Sequence, residues 1–528
     1  MREGKSGLIF DFSPGKVYNT VPGQIPSICQ PDAEGTGHAS SRQVFRHYDV
    51  LKYRKEGLFV NAQTKNKKEI FENLPVARAL WVMAVPTIIS QLINLIYNMV
   101  DAYFIGRTGD SYMMGATTLT LTLVMMNTAL SNIFGIGGGS LLARLMGAGR
   151  DAEGRRVSAF SVWGAISVAF VYSLLLGLFT RPVLYFLGAS DNTIVYAVQY
   201  TQLVIVLGSI PSQLSMTLAH LLRNAGYSGK ASLGLSGGGV LNMVLDPLFM
   251  FVLLPPGYEV VGAALATLLS NLAACMYLLL TFRAASASAP LSLKPAEARR
   301  VQKGSIRNLF AVGIPSAILT GLFDVANICA NMIASAHSDL VLAGFGITLK
   351  VERIPNAICI GICQGAMPII SYNYSSGNRA RMKKTIDTAR WWGLTVAGCA
   401  ILFFRFFAEP AVRLFLDTSR SASPEAALET IAFGTLFLKT RSLASPVQFI
   451  NYHSSFCMQA MGQGKSTMVH AMVRELVLYI PLMFLLDKLF REPGLAAALP
   501  VGEAVSAVFA LILLGRCLKK AKKMDPDQ

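Results

Sequence analysis

Four polar side chains stand at helical spacing inside an apolar stretch: Gln91, Asn94, Asn98 and Asp101 of QLINLIYNMVD fall at i, i+3, i+7 and i+10. At about 100° per residue they share one stripe, while Leu92, Ile93, Leu95, Ile96, Met99 and Val100 cover the rest of the helix. An ionised Asp deep in hydrocarbon costs roughly 2.5–3.5 kcal/mol, so such a residue is expected to face a bundle interior or a wet cavity. This seam is therefore expected to line a transport site. A second cluster lies in NMVLDP, where Asn242 and Asp246 stand at i, i+4 on one helix face and Pro247 leaves a carbonyl of the preceding turn unpaired. Together the two carboxylates, the amides and the free carbonyl suit a proton or a small hard cation such as Na⁺, held by Asp101, Asn242 and Asp246. Thr267 in GAALATLLS could add a hydroxyl. The plainer alternative is that these groups make interhelical hydrogen bonds that hold a bundle together.

The elements that must position them follow from composition. The 528-residue chain is 53% hydrophobic and only 15% charged, with a mean hydropathy of +0.47, which describes an integral membrane protein. Apolar runs of about 20 residues recur about twelve times between Trp81 and Leu514. They lack period-2 alternation, so helices are expected rather than a barrel. The fold class is all-α, about twelve transmembrane helices.

The net charge of +17 is a topology signal and not a nucleic-acid surface. Lys and Arg gather after even-numbered helices: Arg144, Arg150, Arg155 and Arg156 after helix 2, Arg223 and Lys230 after helix 4, Arg299, Arg300 and Lys303 after helix 6, Lys383 and Lys384 after helix 8, and Lys519 and Lys520 at the end. The odd connections are poorer in bases and hold Asp110, Asp191, Glu259, Asp339, Asp417 and Glu492. The positive-inside rule then puts both termini in the cytoplasm of a multi-pass cytoplasmic (inner) membrane protein. Eight cysteines show no metal or disulfide framework; Cys359 and Cys363, at i, i+4, read as thiols packed in a membrane helix.

An internal duplication organises the body. Pro86 pairs with Pro315, Asn98 with Asn327 and Asp110 with Asp339 at one offset (315 − 86 = 229); one residue of slip later, Gly137 pairs with Gly365, Gly149 with Gly377 and Trp163 with Trp391 (377 − 149 = 228). Six helices per half is an even number, so both halves enter from the same side and form two six-helix lobes as parallel repeats, with a substrate path between them. The expected divisions are a polar, disordered cytoplasmic extension over 1–70, an N-lobe over 71–283, a cytoplasmic linker over 284–303, a C-lobe over 304–515 and a basic cytoplasmic tail over 516–528. Translation starting downstream of the extension is an alternative. Opposite Asp101 and Asp246 the second half has Ala330 and Ile480, so the cation site is expected in the N-lobe alone. Gly137, Gly138 and Gly365, together with Pro247, are hinge candidates; close helix packing by small residues is the alternative for the glycines.

These motifs resemble the multidrug and toxic compound extrusion (MATE) family, bacterial type. The resemblance rests on YNMVD followed by FIGRTGD in helix 1, RNAGYSGK after helix 4, NMVLDPLF in helix 5, VGAALATLLS in helix 6 and IGICQGAMPIISYNY in helix 8, over roughly residues 75 to 515. It implies two lobes arranged as a V and export of amphipathic, often cationic drugs or toxic metabolites in exchange for Na⁺ or H⁺, the coupling ion being the only cofactor. It also implies that Asp101, Asn242 and Asp246 form the coupling site with Asn98 and Thr267 as neighbours. Phe323-Asp324-Val325 is similar to a helix 7 carboxylate motif of the NorM branch, but Asp324 stands one residue farther along, a turn of about 100°. Gln91, Asn94, Tyr97, Asp324 and Glu503 are the candidates for the substrate cavity. Lys350 in helix 8 is expected to pair with Asp324, as a clamp or part of a gate.

The expected activity is cation-coupled antiport by a monomer whose partners are small amphipathic substrates and membrane lipid. A lipid or lipid-linked oligosaccharide flippase is the alternative. An enzyme is not expected, because HExxH is missing from the helices and their flanks.

Overall fold

In hydrocarbon a backbone can satisfy its polar groups only within its own helix, so each apolar run should close on itself. The computed structural model describes residues 68–416 and 424–523, all within one compact unit, 64–528. Among the described residues there are helices and no strand. Twelve helical passages follow one another: α1 (Val76–Gly106), α2 (Ser111–Gly147), α3 (Asp151–Phe186), α4 (Ile194–Leu207 and Ser209–Asn224), α5 (Ser228–Leu253) and α6 (Glu259–Ala285). After a short helix, Pro295–Arg299, come α7 (Lys303–His337), α8 (Asp339–Ser375), α9 (Arg379–Arg413), α10 (Pro424–Arg441 continued by Ser442–Ala444 and Ser445–Ala460), α11 (Gly464–Phe490) and α12 (Glu492–Lys523). The expected extension, apart from residues 68–70, lies outside the described residues, as do Asp417 and residues 524–528.

Ten passages are long and apolar enough to cross a membrane, and eleven when α4, bent by 48°, counts as one span. The bend falls at Gly208, three residues before Pro211, whose missing N–H opens the turn. The remaining passage, α10, carries Glu425, Glu429, Lys439 and Arg441 in its first half and buried Gln448, Asn451, His453 and Gln459 in its second.

The duplication is visible in backbone detail. Gly149 and Gly377 both end helices with positive φ (68° and 80°), and so do Gly226 and Gly462 (90° and 74°), the left-handed conformation that glycine adopts without steric cost. Phe179 in α3 and Phe407 in α9 leave helical geometry at the same φ of −116°, each three residues before a proline, Pro182 and Pro410. Both pairs are 228 apart (407 − 179 and 410 − 182). Each proline cannot donate to the carbonyl four residues back, so each helix kinks at the same place.

Apolar packing divides the bundle into an N-lobe (α1–α6) and a C-lobe (α7–α12) at one end and joins them at the other. Ile105, Met113, Tyr172, Leu184 and Met250 form a cluster within the N-lobe, and Ile333, Val341, Phe437, Met483 and Leu495 one within the C-lobe. At the end where α1 and α7 begin and α2 and α8 finish, clusters cross the boundary: Leu80, Ala84 and Ile136 with Val312, Ile362 and Ala366, and Phe134 and Leu141 with Leu309. The lobes also exchange hydrogen bonds there, from Asn132 Nδ2 to Thr320 Oγ1 (3.1 Å) and from Ser140 Oγ to the Gln459 carbonyl (2.7 Å).

Glycine permits this contact. A Cβ on Gly365 would lie 2.5 Å from Ala84 Cα, and one on Gly137 would lie 2.6 Å from the Leu309 carbonyl oxygen. α2 and α8 run through these positions unbroken, so Gly137 and Gly365 serve close backbone packing rather than bending. Gly138 packs against Ser161 of α3. Pro247 stands beside an irregularity, the π-helical turn Phe249–Leu253.

The connection between the lobes is docked: Ala289 and Leu291 are buried, Ser292 N donates to Ser158 Oγ (2.9 Å), and Trp163 Nε1 donates to the Leu293 carbonyl (3.0 Å). The segment before α1 is docked too. Phe71 is fully buried and stacks on Tyr372 of α8, while Arg381 of α9 donates to the carbonyls of Ile70, Phe71 and Leu74. No cross-lobe hydrogen bond, ring contact or apolar cluster among the described residues reaches beyond Ile88 on α1, Asn132 on α2, Thr320 on α7 or Ile358 on α8. From there a cleft opens between the lobes toward the opposite end.

Candidate functional site: an oxygen-rich cluster inside the N-lobe

α5 sets Asn242 and Asp246 one turn apart, so that Asn242 Nδ2 donates to Asp246 Oδ1 (3.0 Å); the same amide reaches Thr267 Oγ1 on α6 (3.4 Å). Both α5 residues are buried, Asp246 completely. α1 packs closely on α5 because Gly239 leaves room for Tyr97 and Ile93. One turn beyond Tyr97, this brings Asp101 into electrostatic contact with Asp246. From α4, buried Tyr200 lies near Thr267 and both carboxylates, closing the cluster from the fourth helix.

Three oxygens are left over. Asp101 Oδ1, Asn242 Oδ1 and Asp246 Oδ2 are buried without a hydrogen-bond partner among the described residues. A buried acceptor without a donor costs roughly 1–3 kcal/mol, more when charged. Two carboxylates facing each other add repulsion. A proton on a carboxyl converts an acceptor into a donor, and a hard cation such as Na⁺ takes oxygen ligands of this kind. The residues present fit either.

The structure brings together Asp101, Asn242, Asp246, Thr267 and Tyr97. The rest of the seam behaves differently: Asn98 is exposed and donates to the Asn94 carbonyl (2.6 Å), Asn94 is exposed, and Gln91 is half-buried. The 3.6-residue stripe thus straddles the edge of the lobe, with its carboxylate inside and its amides toward the cleft. Tyr200 was missed by sequence reasoning. It sits between Gln199 and Thr201 in a stretch that shares no motif with the seam, and the packing of α4 against α6 reveals it.

The C-lobe departs further from expectation. Asp324 is half-buried, and no ion pair between it and Lys350, or between it and Arg353, exists among the described residues. Glu352 is held by Arg441 (2.6 and 3.0 Å), which also donates to the Tyr479 hydroxyl (3.2 Å). Glu503, a cavity candidate, is buried at 4% exposure with both carboxylate oxygens accepting from Arg474 (3.1 Å each). Asn451 also donates to it and in turn meets His470 Nε2 at 3.1 Å. A carboxylate so enclosed does not line the cleft. His453, buried, meets the Ile386 carbonyl (3.0 Å), and Cys359 and Cys363 pack with Phe449.

Comparison with known proteins agrees with this architecture. The family model described as MatE matches residues 86–253 and 315–485, one segment in each lobe. The multidrug export protein MepA of Staphylococcus saprophyticus is 29% identical over 447 residues, covering 84% of this chain and 94% of that protein; MepA of Staphylococcus aureus strain MRSA252 is 29% identical with the same coverage. Among solved structures, a crystal structure of MATE in complex with MaL6 has a TM-score of 0.81 at 19% identity, covering 88% of this chain and 100% of the other. An outward-facing multidrug resistance MATE family transporter of the MOP superfamily has a TM-score of 0.79 at 20% identity, covering 87% and 99%. At these identities the structural likeness speaks to fold.

Proposed function

Since the chain belongs to the MatE family, we propose that it is a multidrug exporter that moves small amphipathic, often cationic molecules out of the cell in exchange for Na⁺ or H⁺. The family and the fold support export. The observation that carries ion coupling is the set of unpartnered oxygens on Asp101, Asn242 and Asp246, buried inside one lobe only.

The geometry suggests how coupling works. The lobes touch at the end bearing the basic connections, and the cleft opens at the other. With basic connections and both termini in the cytoplasm, this is an outward-facing state of a monomer in the cytoplasmic membrane. An ion or proton entering the N-lobe cluster satisfies the orphaned oxygens, while the seam amides Asn94 and Asn98 sit at the adjoining rim of the cleft. Binding shifts the balance between outward and inward states only by the difference in its affinity for the two, and by reciprocity a drug that prefers the other state lowers ion affinity. A swing of about 5.5 kcal/mol carries such an equilibrium from 1:99 to 99:1.

The test is dye efflux in proteoliposomes with Na⁺ and pH gradients imposed separately, for wild type and for Asp101→Asn and Asp246→Asn. Wild type should respond to one gradient, and both variants should insert normally yet lose gradient-driven efflux by tenfold or more, about 1.4 kcal/mol of coupling. Wild-type efflux in both variants, or indifference to both gradients, would defeat the proposal. The relatives' names as multidrug export proteins do not favour the flippase alternative, and the arginines Arg441 and Arg474 are buried in ion pairs within the C-lobe.

A further inference from the structure

We propose that Lys350 is a specificity residue of the cleft that selects amphipathic substrates bearing an anionic group, zwitterions with a carboxylate above all; this rests on the export reading given above. Lys350 lies well inside α8, about 16 Å from the start of the helix at roughly 1.5 Å per residue, where an ammonium group must face water or a counter-charge. It is exposed, and it has no carboxylate partner among the described residues.

Its direction follows from the helix. Lys350, Ile354, Gly361 and Gly365 fall at i, i+4, i+11 and i+15, within about 60° of one another around the axis. Gly361 and Gly365 are the residues whose missing Cβ atoms let α8 rest on Ile88 and Ala84 of α1. The stripe that touches the N-lobe at the closed end therefore continues upward, and Lys350 projects from it across the cleft, facing the N-lobe above the last cross-lobe contact.

The surrounding charges leave it uncompensated. Half-buried Asp324 on α7 makes no ion pair with Lys350 among the described residues, and Glu352 is turned inward to Arg441. On the N-lobe side Asp246 is fully buried, while the exposed seam residues, Asn94 and Asn98, are neutral amides. An anionic group entering the cleft meets one free ammonium and hydrogen-bonding amides, whereas a purely cationic molecule meets like charge on the C-lobe wall.

The probes are a rhodamine with a free carboxylate and its ethyl ester, which share one apolar body and differ by one negative charge. Binding is measured by fluorescence anisotropy on the full-length protein in nanodiscs, and export in proteoliposomes. Lys350→Gln should weaken binding of the carboxylate dye about tenfold, as expected for one charge-assisted hydrogen bond, and change the ester less than twofold. Lys350→Arg should keep the wild-type preference, which also shows that substitution here leaves the fold intact. An unchanged carboxylate-to-ester ratio in Lys350→Gln overturns the role of Lys350 even if both dyes are exported. Wild type that binds the dyes but exports neither overturns the export reading instead, and wild type that binds neither overturns both.

Discussion

Substituting Gly365 by alanine should shift the balance between the two states of the cleft, because the glycine lies where the lobes touch. The added methyl would stand 2.5 Å from Ala84 Cα and 2.7 Å from Ala84 N. Carbon atoms in contact prefer about 3.5–4.0 Å, so α8 and α1 must part by roughly 1 Å. The clashing atoms are backbone, and no change of rotamer relieves them. Overpacking of this kind costs about 1–3 kcal/mol, and here the cost falls on the state in which the closed end is closed. The population ratio should move about 5–150-fold toward the opposite state. Gly137→Ala should act alike, since its Cβ would stand 2.6 Å from the Leu309 carbonyl and 2.9 Å from Gly313 Cα.

The assay is a spin-label distance measurement in a background with all eight cysteines replaced. Leu178 and Phe406 serve as label sites: both are well exposed, occupy duplicated positions and lie on the outer parts of α3 and α9. A second, shorter distance should appear in Gly365→Ala and Gly137→Ala as the outer ends approach. Gly237→Ala, whose Cβ would meet nothing within 4 Å, should leave the distribution unchanged. Folded Gly365→Ala and Gly137→Ala proteins with the wild-type distribution would refute the assignment of these glycines to the closed contact.

Other consequences are equally direct. Arg474→Ala should lower stability by about 3–5 kcal/mol, because it strands the buried Glu503 and Glu475 carboxylates, while Arg474→Met combined with Glu503→Leu and Glu475→Gln should recover much of the loss; thermal unfolding in detergent checks both. Arg381→Ala removes the donor shared by the carbonyls of Ile70, Phe71 and Leu74, and amide exchange over residues 70–74 should speed up about tenfold or more, as local opening loses roughly 1.5–3 kcal/mol of charge-assisted bonding. Asp246→Ala should be less stable than Asp246→Asn by about 1–3 kcal/mol, because alanine removes the nearer of the two acceptors of the Asn242 amide; a thermal midpoint comparison decides.

The sequence by itself determined the spans, the duplication and the lopsided carboxylates. Membrane helices obey local rules: length and apolarity set the span, and proline or glycine mark the irregularities, so Pro182 and Pro410 kink their helices at matching positions. Periodicity also put Asn242 on one face with Asp246, since a four-residue spacing needs no neighbour to be meaningful. Tertiary structure decided everything that depends on how a helix is rotated toward another. It left Lys350 without an ion pair to Asp324, enclosed Glu503 with Arg474, turned Asp101 inward while leaving Asn98 exposed, and brought Tyr200 to a cluster built from three other helices. It also placed Gly137 and Gly365 at the contact between the lobes. Rotation about a helix axis is set by side-chain packing between segments distant in sequence, and in a chain apolar on most faces the hydropathy pattern hardly constrains it.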